Sequence, residues 1–231
     1  GGCMNTPSLP KDVELVCNLA KAHISDNQRT LIAIAGPPAS GKSTLAEAVV
    51  DHLNRGLGPT DVPLGALLPM DGYHLDNDVL QKRGLLARKG APETFDAAGF
   101  CKAVKSLAES VTTARYPSFD RDKDAATQEA LLIQAETPIV VVEGNYLLLK
   151  SAPWASLRIL FAKTIFISPP MDMLVERLEQ RWVDHGFDPV AASQRARSND
   201  VPNAQLVLSQ SAQADVKIDQ GYSLPLLSQA S

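Results

Sequence analysis

The 231 residues are 45% hydrophobic and 21% charged, the balance of an ordinary globular chain long enough for one sizeable core. A formal net charge of −4 with no basic blocks argues against an extended nucleic-acid or anionic-membrane footprint, so phosphate-binding charge must come from a few placed residues. Three scattered cysteines form neither a disulfide framework nor a zinc pattern, and no apolar run is long enough to span a bilayer, so a cytoplasmic protein is expected.

Gly1 to Cys3 precede Met4 and read as an expression remnant, leaving residues 4–231 as one expected domain without a basic-then-apolar leader. Asp12 to His23 carries Val13, Val16, Leu19 and Ala20 at helical spacing. Thr30 to Gly36 is a wholly apolar run feeding a glycine turn, the signature of a buried parallel strand. Ser43 to Arg55 predicts an amphipathic helix, Pro63 to Met70 a second strand, and Asp96 to Ala108 a helix with Asp96 as its N-cap. Pro138 to Glu143 is the strongest strand, and Thr164 to Ser168 another, closed by two prolines. Met171 to His185 predicts a helix with arginines on one side, Pro189 to Gln213 a polar helical stretch interrupted near Pro202, and Asp215 to Ile218 a last strand. Apolar strands alternating with helices imply an α/β three-layer sandwich around a central parallel sheet. Ligands of such sheets sit at the carboxyl ends of the strands, where the glycine turn, Asp71 and Glu143 all fall.

Gly36-Pro-Pro-Ala-Ser-Gly41-Lys42-Ser43 matches G-x-x-x-x-G-K-S/T, with the strand before it and the helix after it that the P-loop requires. In that pattern Gly36, Pro38, Ala39, Ser40, Gly41, Lys42, Ser43 and Thr44 form the turn around the phosphates, with the backbone N–H groups of its non-proline residues pointing inward. Lys42 reaches the β- and γ-phosphates, and Ser43 ligates Mg²⁺. No N-K-x-D guanine reader is present, which favours ATP. Asp71, directly after the second strand, is the candidate base for phosphoryl transfer to a hydroxyl, or else caps the following loop. His74 either bonds the acceptor or supports the loop. Glu143 ends a buried strand, the place of a Mg²⁺-holding acid.

The segments GPPASGKST, MDGYHLDN, RKGAPETFD, YPSFDRDKDA, VVVEGNYLLL and RSNDVPNAQ occur in an order that resembles the family uniting phosphoribulokinase, uridine kinase and bacterial pantothenate kinase. The resemblance implies a P-loop kinase fold, Asp71 as catalytic base and Glu143 as the acid of the E-G motif. It also implies an acceptor pocket lined from Arg88–Asp96 and Tyr116–Arg121, from which Arg88, Lys89, Phe95, Phe119, Asp120 and Arg121 are candidates beside Tyr73 and His74. Arg177 and Arg181, four apart on one helical face, match lid-helix arginines that touch phosphates, and Asn199 resembles an acceptor-contacting asparagine. Residues 184–204 are the expected lid, and related enzymes include dimers. The F-D-R triplet at 119–121 departs from the pantothenate and uridine kinase patterns and is similar to a fructose-kinase-like branch. Asp120 and Arg121 either bond sugar hydroxyls or pair with each other. The expected activity is therefore ATP-dependent phosphorylation of a small metabolite, a sugar first, pantothenate or a nucleoside next. The alternative of another class is a non-catalytic ATP sensor.

Overall fold

The computed structural model describes residues 8–222. Five parallel strands form one sheet in the order β2 (Gly65–Pro69), β5 (Ile139–Gly144), β1 (Thr30–Ala35), β6 (Lys163–Ile167), β7 (Val216–Ile218). Every residue of β1 and β5 is buried because both faces of those strands are covered. Successive side chains of a strand point to opposite faces. Ile32 and Ile34 accordingly join Val141, Ile165 and Ile167 beneath α1 (Leu9–Ala22) and α2 (Lys42–Leu53). Leu31, Ala33 and Ala35 join Val140, Val142 and Phe166 on the other face, beneath α4 (Ala97–Glu109), Tyr146 and Trp154. The expected three layers are thus two apolar clusters separated by one sheet. Among the described residues no helix is long and apolar enough to cross a membrane.

Asp96 caps α4 as anticipated, accepting a hydrogen bond from Gly99 N at 3.0 Å. The short helix α3 (Asn77–Lys82) was not anticipated. Nor was an antiparallel hairpin of β3 (Ala114–Asp120) and β4 (Ala125–Ile133), where the sequence suggested only that Tyr116–Arg121 lines a pocket. Pro117 lies where the hairpin register shifts, between Tyr116 and Ser118, because it cannot donate to a ladder. The hairpin rests on the turn Met70–Tyr73, and a Cβ at Gly72 would stand 2.4 Å from Pro117 O.

The polar stretch after α5 (Met171–Asp184) is helical as expected, and its irregularity near Pro202 is a π-turn rather than a break. Pro202 does not break it: α6 (Pro189–Arg195) runs through a π-turn at Ala196–Asp200 into α7 (Val201–Gln210). Proline removes one N–H and crowds a carbonyl four residues back, and the wider π-turn accommodates both. Residues 184–204 are not detached from the body, because Ala196, Val201 and Ala204 pack with Leu178 and with Ala39 of the glycine turn.

Arg29 ties the layers at the opposite end. Its guanidinium donates to Thr137 O at 3.1 Å, Leu107 O at 3.3 Å, Gln134 O at 2.9 Å and Ala135 O at 3.2 Å. Arg29→Met would leave these carbonyls without their donor in a buried corner. We expect it to cost about 2–4 kcal/mol of unfolding free energy in chemical denaturation, with nucleotide affinity unchanged.

Candidate functional site

The turn from β1 into α2 is shaped by two glycines that no other residue could replace without rearrangement. A Cβ on Gly36 would meet Ile167 O at 2.6 Å and Ser40 Oγ at 2.8 Å, while Gly41 holds φ +92°. Ala39 is held at φ +64°, a conformation costly for a side-chain-bearing residue and typical of functional turns. The result is a backbone concavity opening at the N-terminus of α2, a geometry that favours bound anions.

Lys42 is buried, and its Nζ has no hydrogen-bond partner among the described residues; the nearest carboxylate oxygen, Glu143 Oε1, is 3.8 Å away. A buried ammonium with three unused donors is costly unless oxygens are brought to it. Burial pushes Lys42 below its ordinary range, opposed by Glu143 and Asp71. Burial likewise pushes Glu143 up to about 7, opposed by Lys42. Ser43 Oγ donates to Glu143 Oε1 at 2.9 Å, so hydroxyl and carboxylate oxygens face the same point.

These groups line a cavity of about 280 Å³ that also receives Thr44, Asp71, Arg121 and Arg181. A second cavity of about 180 Å³ adjoins it, lined by His74, Lys89, Phe95, Asn145, Asp200 and Asn203 among others. Pro38 lines the second cavity, and Ala39 and Gly41 the first. Asp71, Phe119 and Arg181 belong to both, so a carboxylate and a guanidinium stand at the junction.

The predicted residues sort by this geometry. His74 lies between Phe95 and Phe119, at ring distances of 4.2 and 4.6 Å, with Nδ1 2.7 Å from Asp71 O. Burial pushes its pKa down, favouring the neutral ring. Lys89 Nζ lies 2.9 Å from Asp124 Oδ1 and donates to Asn77 Oδ1 at 2.7 Å. Tyr73 turns into the core, edge-on to Phe100 at 5.2 Å, and burial pushes its hydroxyl up to about 12. Arg88 pairs with Glu93 at 3.1 Å and lines neither cavity. Asp120 Oδ1 accepts from Asp122 N and Lys123 N, holding the hairpin turn, so it is engaged with the backbone rather than with Arg121. Arg121 itself lines the first cavity, with Lys42 and Ser43.

Arg177 and Arg181 share a helix face but not a task. Arg177 donates to Ala39 O at 3.0 Å and Tyr222 O at 2.8 Å, bracing the glycine turn from behind. Asn199 donates to Lys89 O at 2.9 Å and lies outside the second cavity. Four polar side chains of the second cavity are not among the sequence candidates: Asp124, Asn145, Asp200 and Asn203. Asp200 and Asn203 are three apart in the same RSNDVPNAQ segment, one helical face away from Asn199.

The family model described as "Phosphoribulokinase / Uridine kinase family" matches residues 31–223. The Escherichia coli (strain K12) protein YggC, itself uncharacterised, is 35% identical over 196 residues, covering 85% of this chain and 80% of its own. A proposed uridine kinase of Schizosaccharomyces pombe is 29% identical over 210 residues, covering 88% of each. The crystal structure of a proposed fructose transport system kinase from Silicibacter sp. TM1040 superimposes with a TM-score of 0.80 at 38% identity, covering 89% of this chain and 98% of that one.

Proposed function

This chain belongs to the phosphoribulokinase / uridine kinase family, and from that premise we propose that it transfers the γ-phosphoryl group of ATP to a hydroxyl of a small metabolite, a sugar before any other. The observation that carries the reading is the junction of the two cavities at Asp71 and Arg181, one cavity ending on Lys42 and the P-loop, the other on an aromatic and amide-lined wall. A hydroxyl in the second cavity lies against Asp71, which takes its proton as the oxygen bonds to the γ-phosphorus and the bond to the β-phosphate bridging oxygen breaks. Lys42, Arg181 and Arg121 stabilise charge spread over the transferring group, and the P-loop amides hold ADP as it leaves.

Mg²⁺ is the metal such a donor set suits. Ser43 Oγ and the Glu143 carboxylate, 2.9 Å apart, offer the hard oxygens that would hold it beside the nucleotide phosphates. When bound, it neutralises the phosphate oxygens and orients them.

The sugar preference draws support from the fructose transport system kinase among the similar structures. It no longer leans on Asp120, whose carboxylate is engaged by the hairpin turn. The test is ADP release from Mg-ATP across fructose, other hexoses and pentoses, pantothenate, uridine and cytidine. We expect one free sugar to stimulate release well above the background hydrolysis rate. Nucleotide binding with no stimulation by any acceptor would instead favour an ATP sensor.

A further inference from the structure

We infer that the acceptor cavity is built for an uncharged polyol and discriminates against carboxylate- or phosphate-bearing acceptors, with Asn145, Asp200 and Asn203 reading the hydroxyls that do not react. The inference rests on the kinase reading above and narrows its acceptor.

Charge is the first argument. The cavity is lined by two cationic side chains, Lys89 and Arg181, against three carboxylates, Asp71, Asp124 and Asp200. Lys89 is taken up by the Asp124 carboxylate at 2.9 Å, by Asn77 Oδ1 and by Asp124 O at 3.0 Å, and it stands 5.3 Å from the centre of the Phe119 ring. Arg181 feels both Asp200 and Asp71. Burial raises the Asp200 pKa, yet even a protonated Asp200 leaves cations and anions balanced. Lys42 and Arg121 line the other cavity, where the nucleotide phosphates claim them. An anionic acceptor would therefore meet no surplus positive charge, and would sit beside the negative charge of the nucleotide. An uncompensated like charge at a few ångströms costs roughly one to two orders of magnitude in affinity.

The cavity wall is also polarised towards hydrogen-bond acceptors. Asn145 is only 9% exposed, lines the cavity, and its Oδ1 has no hydrogen-bond partner among the described residues. An amide oxygen accepts and never donates, as does an ionised carboxylate. Asp200 already accepts from Trp182 Nε1 at 2.7 Å, and its placement depends on the π-turn that ends there. A wall of acceptors asks for O–H donors, which a polyol has in plenty and a carboxylate lacks. Asn203, buried on the same wall, adds an amide able to do either. The His74, Phe95 and Phe119 rings supply an apolar face for the C–H side of such a molecule.

The experiment compares kcat/KM with Mg-ATP for matched pairs: fructose and fructose 6-phosphate, glucose and gluconate, pantothenol and pantothenate, glycerol and glycerate. In any pair that turns over, the neutral member should lead by at least about tenfold. Asp200→Asn, which keeps an oxygen for Trp182, should narrow that ratio by about tenfold. Asn145→Ala should raise KM for the neutral acceptor more than it lowers kcat. A leading anionic member, or an unchanged ratio in folded Asp200→Asn, overturns the inference and leaves the kinase reading standing. No turnover in any pair, with Mg-ATP binding intact, strikes the kinase reading itself and the inference falls with it.

Discussion

Lys42→Met is expected to remove most of this protein's response to nucleotide without unfolding it. The ammonium sits in a buried position with no hydrogen-bond partner among the described residues, so without phosphates it is a cost to the fold. Methionine has similar length and no charge, and removes that cost, although it leaves Glu143 without its cation at 3.8 Å. These effects oppose each other, and the variant should melt within a few degrees of the parent. Its response to nucleotide should differ sharply. A ligand at one hundred times its dissociation constant stabilises a protein by about 2.7 kcal/mol. At the Mg-ATP concentration that achieves this for the parent, the variant should lose most of the gain in a thermal-shift titration. Turnover should fall by about 10²–10³, the range typical for removing one preorganised charge from a transition state. A variant that melts normally and keeps the full Mg-ATP shift would remove Lys42 from the phosphate site.

Much of this site is legible in the sequence because its parts are local. The P-loop is eight consecutive residues with a strand before and a helix after, and β1 and β5 announce themselves as unbroken apolar runs. Asp71 and Glu143 follow as residues at strand ends, and a parallel sheet brings strand ends together. What stays hidden depends on pairing or side-chain direction. The β4 segment AATQEALLI is made largely of good helix formers and becomes a strand only against β3. Arg177 and Arg181 differ by one helical turn, and that step separates a guanidinium on the Ala39 carbonyl from one at the cavity junction. Resemblance points to Asn199, while the π-turn that includes it delivers Asp200 and Asn203 to the cavity. No single-residue pattern encodes that extra backbone step.

Asp71→Asn should lower kcat by about 10²–10⁴, the contribution of a positioned general base, and should not weaken Mg-ATP binding. The substitution keeps size and shape while removing the negative charge and the ability to take a proton. The backbone contacts that set the turn survive it: His74 N and Nδ1 both engage Asp71 O, not its side chain. The expected split follows from position. Asp71 lines both cavities, so in the proposed reaction it would meet the acceptor hydroxyl, while Lys42, Ser43 and the P-loop amides, which would hold the phosphates, remain in place. Neutralising a carboxylate beside bound phosphates also removes a repulsion, so nucleotide affinity should hold or tighten. Single-turnover kinetics with a saturating acceptor isolates the chemical step, and a thermal-shift titration reads Mg-ATP affinity on the same sample. A capping role for Asp71 makes the opposite forecast, lost stability with turnover per folded molecule preserved. Near-normal single-turnover rates in a folded variant would therefore assign the proton to another group, and the carboxylates left on the acceptor wall, Asp200 and Asp124, would be the next to substitute.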